Sequence, residues 1–262
     1  MSFEFFPQPN VILQIGSISL YFYGAMYALS AISAYFITQY WVQKFQIKNC
    51  THDDILDIIF WSMISGVVGG RIFYMLVYNF QNFLEDLLSI FTVWNGGMSI
   101  HGGLIGGAIG FIIITKIKRI NVLEFADIAV VSIAFGMALG RLGNFVNKEL
   151  VGRVTDISWA IDFGDGLMRH PSQLYAMGKD LMLFFIFWYI LLKISDNKNY
   201  TSGIIFSGFI VTYAIFRFIV EFFRQPDPQL GFIFLEFSMG QILSVALFFV
   251  GAFSFFIVRR KK

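Results

Sequence analysis

The chain has 262 residues, of which 57% are apolar, 19% are aromatic and only 14% are charged. Soluble domains carry about a quarter charged residues, and so apolar a chain is not intrinsically disordered. The net charge of +2 comes with no basic stripe, which excludes a nucleic-acid partner. The single cysteine, Cys50, excludes a disulfide framework and a zinc site built on cysteine pairs. The composition predicts an integral membrane protein.

Seven apolar stretches are candidates for membrane-spanning helices, each of which needs roughly 20 residues to cross the hydrocarbon core. In chain order they are residues 18–42, 55–78, 98–115, 122–140, 181–192, 203–220 and 241–258. The fifth is the shortest. It therefore has to recruit residues 172–180 as an interfacial lead-in, or to sit tilted and shielded by its neighbours.

Basic residues flank alternate spans, and this pattern predicts the orientation. Residues 1–17 and 79–97 contain neither lysine nor arginine. The loops and the terminus on the other side carry Lys44, Lys48, Lys116, Lys118, Arg119, Lys193, Lys198, Arg259, Arg260, Lys261 and Lys262. Because positive charge collects on the cytoplasmic side, we expect an all-α, polytopic protein with seven transmembrane helices, its N-terminus outside and its C-terminus cytoplasmic. We expect a single integral membrane domain over residues 1–262, with a small extracytoplasmic cap at about 141–179.

Four polar residues share one face of the sixth predicted span and its end. They are Tyr213, Arg217, Glu221 and Arg224, at offsets that a helix brings to one side. One interpretation is a structural ion pair between Arg217 and Glu221. The other is an anion site in which the carboxylate orients an arginine. Two arginines against one carboxylate leave spare positive charge, which favours the anion site.

A second polar group, Arg71 with Tyr74 and Tyr78, follows the glycines at 66, 69 and 70. It is equally consistent with close helix packing beside a snorkelling arginine and with ligand binding. The start of the third span carries His101, followed by glycines at 102, 103, 106 and 107. This histidine is either a satisfied packing residue or a functional one.

A third group follows the fourth span, where Arg141, Asn144 and Glu149 lie within nine residues and Gly152 follows. Glycines bracket the run, so the backbone can turn and approach a ligand closely. A plain turn does not need this concentration of planar hydrogen-bonding side chains. The planar fork of arginine matches phosphate oxygens. Arginines at membrane depth therefore indicate a phospholipid head group as the ligand, and no metal ion or cofactor is implied.

Several motifs in order along nearly the whole chain resemble the prolipoprotein diacylglyceryl transferase family. They lie at residues 23–27, 69–71, 96–103, 140–152, 169–175, 213–224 and 238–241. The resemblance implies a multi-pass enzyme of the bacterial cytoplasmic (inner) membrane with its active site toward the extracytoplasmic side. It implies that a diacylglyceryl group moves from phosphatidylglycerol to the lipobox cysteine thiol of a preprolipoprotein signal peptide, with release of glycerol phosphate. The expected partners are these two substrates and the bilayer.

Roles for single residues follow from that resemblance together with the chemistry. We expect His101 to take the thiol proton, and Arg141 and Arg217 to neutralise the departing phosphate. The expected catalytic set is His101, Arg141, Asn144, Arg217 and Glu221. The expected substrate-binding set is Tyr23, Arg71, Ser99, Gly102, Gly103, Glu149, Gly152, Tyr213 and Arg224.

The main alternative is a membrane transporter or channel for an anionic or lipid substrate. The chain lacks an inverted repeat and paired broken helices, which argues against it. A retinal-binding protein is excluded because residues 241–258 contain no lysine. A metal-dependent phosphotransferase would need clustered aspartates, and Asp162 and Asp165 are too isolated.

Overall fold

The computed structural model describes residues 11–15, 18–92, 96–195, 200–226, 231–234 and 237–260. Within them the helices are α1 (Phe22–Phe45), α2 (His52–Val77), α3 (Phe80–Glu85), α4 (Ile100–Ile117), α5 (Val122–Val146), α6 (Ser172–Ile194), α7 (Ile204–Val220) and α8 (Met239–Arg259), with a 3-10 helix at Leu87–Phe91. Three antiparallel hairpins join β1 (Val11–Ile15) to β2 (Ile18–Tyr21), β3 (Ile161–Asp162) to β4 (Met168–Arg169), and β5 (Phe232–Phe234) to β6 (Phe237–Ser238).

Each predicted span lies on one of the seven longer helices, but some bounds were wrong. Residues 18–21 form a strand, because they pair with residues 11–15 before the first helix begins at Phe22. The helix α5 continues to Val146, so the connection to α6 is residues 147–171 and not 141–179. Residues 172–180 are helical and continuous with the fifth predicted span, since α6 covers Ser172–Ile194. Some predicted features lie outside the described residues. These are residues 1–10 and 16–17, Trp94 and Asn95 of the motif before His101, and the basic residues Lys198, Lys261 and Lys262.

The helix lengths and surfaces are those of a multi-pass membrane protein. Among the described residues, α2, α4, α5 and α8 are long and apolar enough to cross a membrane, and the apolar α7 is shorter at 17 residues. Large apolar side chains face outward, including Leu104, Phe249 and Phe253, which are 69%, 66% and 68% exposed. Apolar patches of this kind are not stable against water and indicate a lipid-facing surface.

The chain forms two compact units, a smaller one of Gln39–Phe125 and a larger one of Met1–Thr38 with Ala126–Lys262. In the smaller unit, α2 and α4 cross at their glycines. A Cβ atom added to Gly69 would lie 2.8 Å from the Cα of Gly106. Real Cβ atoms do not come this close, so the absence of side chains is what lets these two helices touch.

In the larger unit, hydroxyl and carboxylate groups join helices that are distant in sequence. Thr38 of α1 and Ser132 of α5 share a hydrogen bond of 2.8 Å between their hydroxyls. The fully buried Asp127 accepts hydrogen bonds from the backbone N–H groups of Gly203 and Phe206 at 2.5 and 2.7 Å. These N–H groups at the start of α7 have no partner within the helix, so Asp127 stabilises that end as a cap.

Candidate active site

Glu221 is a buried carboxylate of the larger unit and is only 3% exposed. Arg217, one helical turn earlier, donates a hydrogen bond to its Oε2 atom. The Ser238 hydroxyl donates to Oε1 at 3.0 Å, and Nη1 of Arg224 lies 3.7 Å from the same oxygen. Three of the four residues predicted to share a face, Arg217, Glu221 and Arg224, are therefore close together. One carboxylate is shared by two guanidinium groups, so the set carries a net positive charge.

The start of α8 holds this carboxylate in position. Ser238 begins the helix in a reciprocal cap with Gln241, whose backbone N–H donates to the Ser238 hydroxyl. The same first turn places Gly240 directly against Glu221, because a Cβ atom added there would lie 2.6 Å from the carboxyl carbon. The motif at 238–241 thus fixes Glu221 by a hydrogen bond on one side and by close packing on another.

A chain of hydrogen bonds runs from Arg141 to the residues after α5. Nη1 of Arg141 donates to Oδ1 of Asn144 at 3.5 Å, and Nδ2 of Asn144 donates to Oε2 of Glu149 at 3.2 Å. Lys148 and Leu150 have positive φ angles of 57° and 54°, which turn Glu149 back toward the helix end. Arg141 makes this one long hydrogen bond with the described residues, so most of its donors remain for a ligand.

A cavity opens between these groups. Three of its lining side chains are arginines, and the full lining is Arg141, Arg217, Arg224, Leu150, Ser172, Gln173, Ala176 and Val220. The first turn of α6 closes one side, because Ser172 donates to the carbonyl of Leu150 at 3.0 Å and Gln173 to that of Glu149 at 2.7 Å. The guanidinium groups that line this space carry hydrogen-bond donors of the kind that bind phosphate oxygens.

Comparison with known proteins identifies the family. Residues 10–257 match the family model described as prolipoprotein diacylglyceryl transferase. A phosphatidylglycerol–prolipoprotein diacylglyceryl transferase of Geobacter sulfurreducens is 42% identical over 255 residues, which cover 96% of each chain. The enzyme of the same name from Pasteurella multocida is 45% identical over 94% of this chain and 91% of its own.

The chain belongs to the prolipoprotein diacylglyceryl transferase family. The resemblance found in the sequence is therefore confirmed, and it favours the enzyme over the transporter or channel. In this transferase family member, the predicted residues Arg141, Asn144, Glu149, Tyr213, Arg217, Glu221 and Arg224 all lie in the larger unit.

The sequence did not single out one buried pair in this part of the transferase, Lys179 and Asp180 of α6. Their side chains are 4% and 1% exposed and form an ion pair. Nζ of Lys179 also lies 4.2 Å from the centre of the Tyr213 ring, and the charges of Arg141 and Arg217 act on both members of the pair. Two adjacent charges in an apolar helix were the available signal, because such charges seldom enter a membrane without a partner.

Tyr23 and Gly152 contribute by packing. The Tyr23 ring covers Gly143, where an added Cβ atom would lie 2.7 Å from its Cδ2 atom. At Gly152 an added Cβ atom would lie 2.8 Å from the carbonyl oxygen of Phe223. Close by, a hydrogen bond from Arg169 lowers the pKa of the Asp165 carboxyl and ties the β3–β4 hairpin together.

In the smaller unit, the Arg71 side chain makes structural hydrogen bonds to the backbone of a neighbouring loop. Its guanidinium donates to the carbonyl oxygens of Ser89, Ile90, Thr92, Gly96 and Gly97. All five of its N–H donors are therefore engaged in the loop before α4. This geometry favours the structural alternative for Arg71 over a contact with substrate.

The other predicted residues of the smaller unit stand at the start of α4. The Ser99 hydroxyl caps the helix by accepting from the Gly102 backbone N–H at 3.4 Å. Gly102 and Gly103 belong to the glycine face that meets α2, and Gly102 is also packed against Phe73. The exposed His101 ring lies 6.5 Å from the Phe73 ring, centre to centre. It is the exposed titratable side chain of this turn.

Proposed function

We propose that this chain is a phosphatidylglycerol–prolipoprotein diacylglyceryl transferase that acts on the lipobox cysteine of preprolipoproteins. Family membership supports the reaction, because the relatives that are 42% and 45% identical to this chain are named for that activity. The observation that carries the proposal is the cavity lined by Arg141, Arg217 and Arg224. Guanidinium groups in an apolar helical protein match a lipid that bears a phosphodiester.

The proposed chemistry is a displacement at a saturated carbon. The cysteine thiolate attacks the glycerol carbon that carries the phosphate, a carbon–sulfur bond forms, and the carbon–oxygen bond to phosphate breaks. The electron pair leaves with glycerol phosphate, and the thiol proton goes to a base. Because charge on the phosphate oxygens changes as this bond breaks, preorganised donors there lower the barrier.

Arg141 and Arg217 supply those donors in different ways. Glu221 orients Arg217 through their hydrogen bond. Within the described part of the chain Arg141 hydrogen-bonds only to Asn144, which leaves its planar fork for the leaving group. Glu149 in turn holds Asn144. We assign proton acceptance to His101, because an imidazole accepts a thiol proton near neutral pH. Tyr213 and Arg224 complete the proposed head-group site.

We also propose seven spans with the N-terminus outside and the C-terminus cytoplasmic in the bacterial inner membrane. The last turns of α1, α4, α6 and α8 carry Lys44, Lys116, Lys193 and Arg259. These helices are the first, third, fifth and seventh spans of the proposed topology, and a basic last turn on each favours one cytoplasmic side. The segment 147–171 then forms an extracytoplasmic cap.

The reaction is tested with purified protein, phosphatidylglycerol vesicles and a lipobox peptide, alongside the same peptide with serine in place of cysteine. The expected result is a mass gain of one diacylglyceryl unit on the cysteine peptide only, with stoichiometric glycerol phosphate. A gain on the serine peptide, or no gain on either, would contradict the proposed reaction. Transport of lipid without peptide modification would support the transporter instead.

A further inference from the structure

Among the described residues, one buried acceptor of a side chain that lines the cavity has no hydrogen-bond partner. Gln173 lines the cavity and is 2% exposed, and its Nε2 group donates to the Glu149 carbonyl at 2.7 Å. Its Oε1 atom accepts no hydrogen bond within the described part of the chain. The amide is not simply reversed, because the opposite orientation would set its oxygen against the Glu149 carbonyl oxygen. A buried acceptor left unpaired is costly, which indicates that a donor completes it.

The neighbours of Gln173 indicate which kind of ligand would carry this donor. The cavity presents the guanidinium groups of Arg141, Arg217 and Arg224, all of which are hydrogen-bond donors. A ligand that satisfies the whole lining therefore combines an anionic group with a hydrogen-bond donor close to it. A phosphodiester alone lacks the donor. An ammonium group supplies one, but its positive charge is repelled by three arginines.

We propose that Gln173 determines head-group specificity, its Oε1 atom accepting a hydrogen bond from a free hydroxyl of a glycerol phosphodiester. The arginines bind the phosphate of the same head group. This inference rests on the proposed function, since it names what the site reads in its lipid substrate. Gln173 touches the head group and takes no part in bond breaking.

The test compares two lipids that differ only in the head-group hydroxyls, phosphatidylglycerol and phosphatidylpropanol. The wild-type protein is expected to favour phosphatidylglycerol in kcat/KM by about 10-fold or more, because a site built for a hydroxyl rejects the analogue without it. In Gln173→Leu the ratio is expected to approach one, mostly through loss on phosphatidylglycerol. Equal kcat/KM values in the wild-type protein would overturn the proposal without any variant.

A matched control separates recognition from anchoring. Ser172→Ala removes the neighbouring tether to the Leu150 carbonyl on the same turn, and it is expected to change both lipids equally and to keep the wild-type ratio. If Gln173→Leu also lowers both lipids by the same factor, its role is only the anchor to Glu149, and the specificity role is wrong.

Binding provides a readout that does not depend on catalysis. Short-chain phosphatidylglycerol is expected to raise the Tm of the wild-type protein more than short-chain phosphatidylpropanol does, and Gln173→Leu is expected to abolish the difference. If the wild-type protein binds selectively but forms no thioether, the proposed reaction fails and the assignment of Gln173 stands. Equal Tm shifts of the wild-type protein with both lipids would overturn the assignment.

Discussion

Replacement of Arg141 by lysine tests the leaving-group role proposed for this arginine. Arg141 lines the cavity and makes one hydrogen bond, of 3.5 Å, with the described residues. Lysine keeps the positive charge but loses the planar fork that contacts two phosphate oxygens at once. The substitution is therefore expected to remove the proposed contacts to the leaving group and few contacts among the described residues.

Arg141→Lys is expected to have a large effect on turnover and a small effect on folding stability. Loss of a preorganised donor to developing charge costs about 100- to 1000-fold in kcat, or about 3–4 kcal/mol of transition-state stabilisation. The loss of folding stability is expected to stay below about 1 kcal/mol, since one long hydrogen bond is all that the fold gives up. Arg141→Lys should therefore show a large fall in turnover with an almost unchanged Tm.

Arg71→Lys is the matched control within the same chain. Its guanidinium is spent on five backbone carbonyls of one loop, which a single ammonium cannot replace. We expect Arg71→Lys to lower Tm clearly. Both variants are assayed by thioether formation at saturating phosphatidylglycerol and by thermal unfolding in detergent. Wild-type turnover in Arg141→Lys, or a Tm loss as large as that of Arg71→Lys, would refute the leaving-group role.

Three further predictions concern burial. Lys179→Met leaves the Asp180 carboxylate buried without its ion-pair partner and should destabilise the protein by about 3–5 kcal/mol. The double variant Lys179→Met/Asp180→Leu should recover most of this stability in thermal unfolding. Equal losses of stability in the single and double variants would argue against a paired site. Gly152→Ala forces a Cβ atom to within 2.8 Å of the Phe223 carbonyl oxygen. It should lower the free energy of unfolding by about 1–3 kcal/mol and reduce transferase activity. An unchanged Tm would mean that the segment around Gly152 shifts to accommodate the methyl group. Burial raises the pKa of the Cys50 thiol to about 11. At pH 7 maleimide should therefore label Cys50 about 100-fold more slowly than a free thiol, and the labelling rate should rise about 10-fold with each further pH unit. A labelling rate independent of pH would contradict this, and Cys50→Ser should retain full transferase activity.

The sequence was sufficient where the deciding contacts are local. Each predicted span lies largely on one of the seven longer helices, because a long apolar run specifies a helix in lipid whatever its neighbours are. The pairing of Arg217 with Glu221 followed from their separation of four residues, since one helical turn brings such side chains together. The strand at residues 18–21 was missed because an apolar run of that length is compatible with either structure.

The tertiary structure alone decided the contacts between charged or polar groups that are far apart in the chain. Ser238 reaches Glu221 across 17 residues, and Ser89 occupies Arg71 across 18. Spacing placed Arg71 and Arg141 in similar glycine-rich settings, yet one guanidinium is consumed by backbone carbonyls and the other faces a cavity. Composition and periodicity predict that arginines lie on apolar helices, whereas only the packing of distant segments shows which guanidinium groups are already hydrogen-bonded within the described chain.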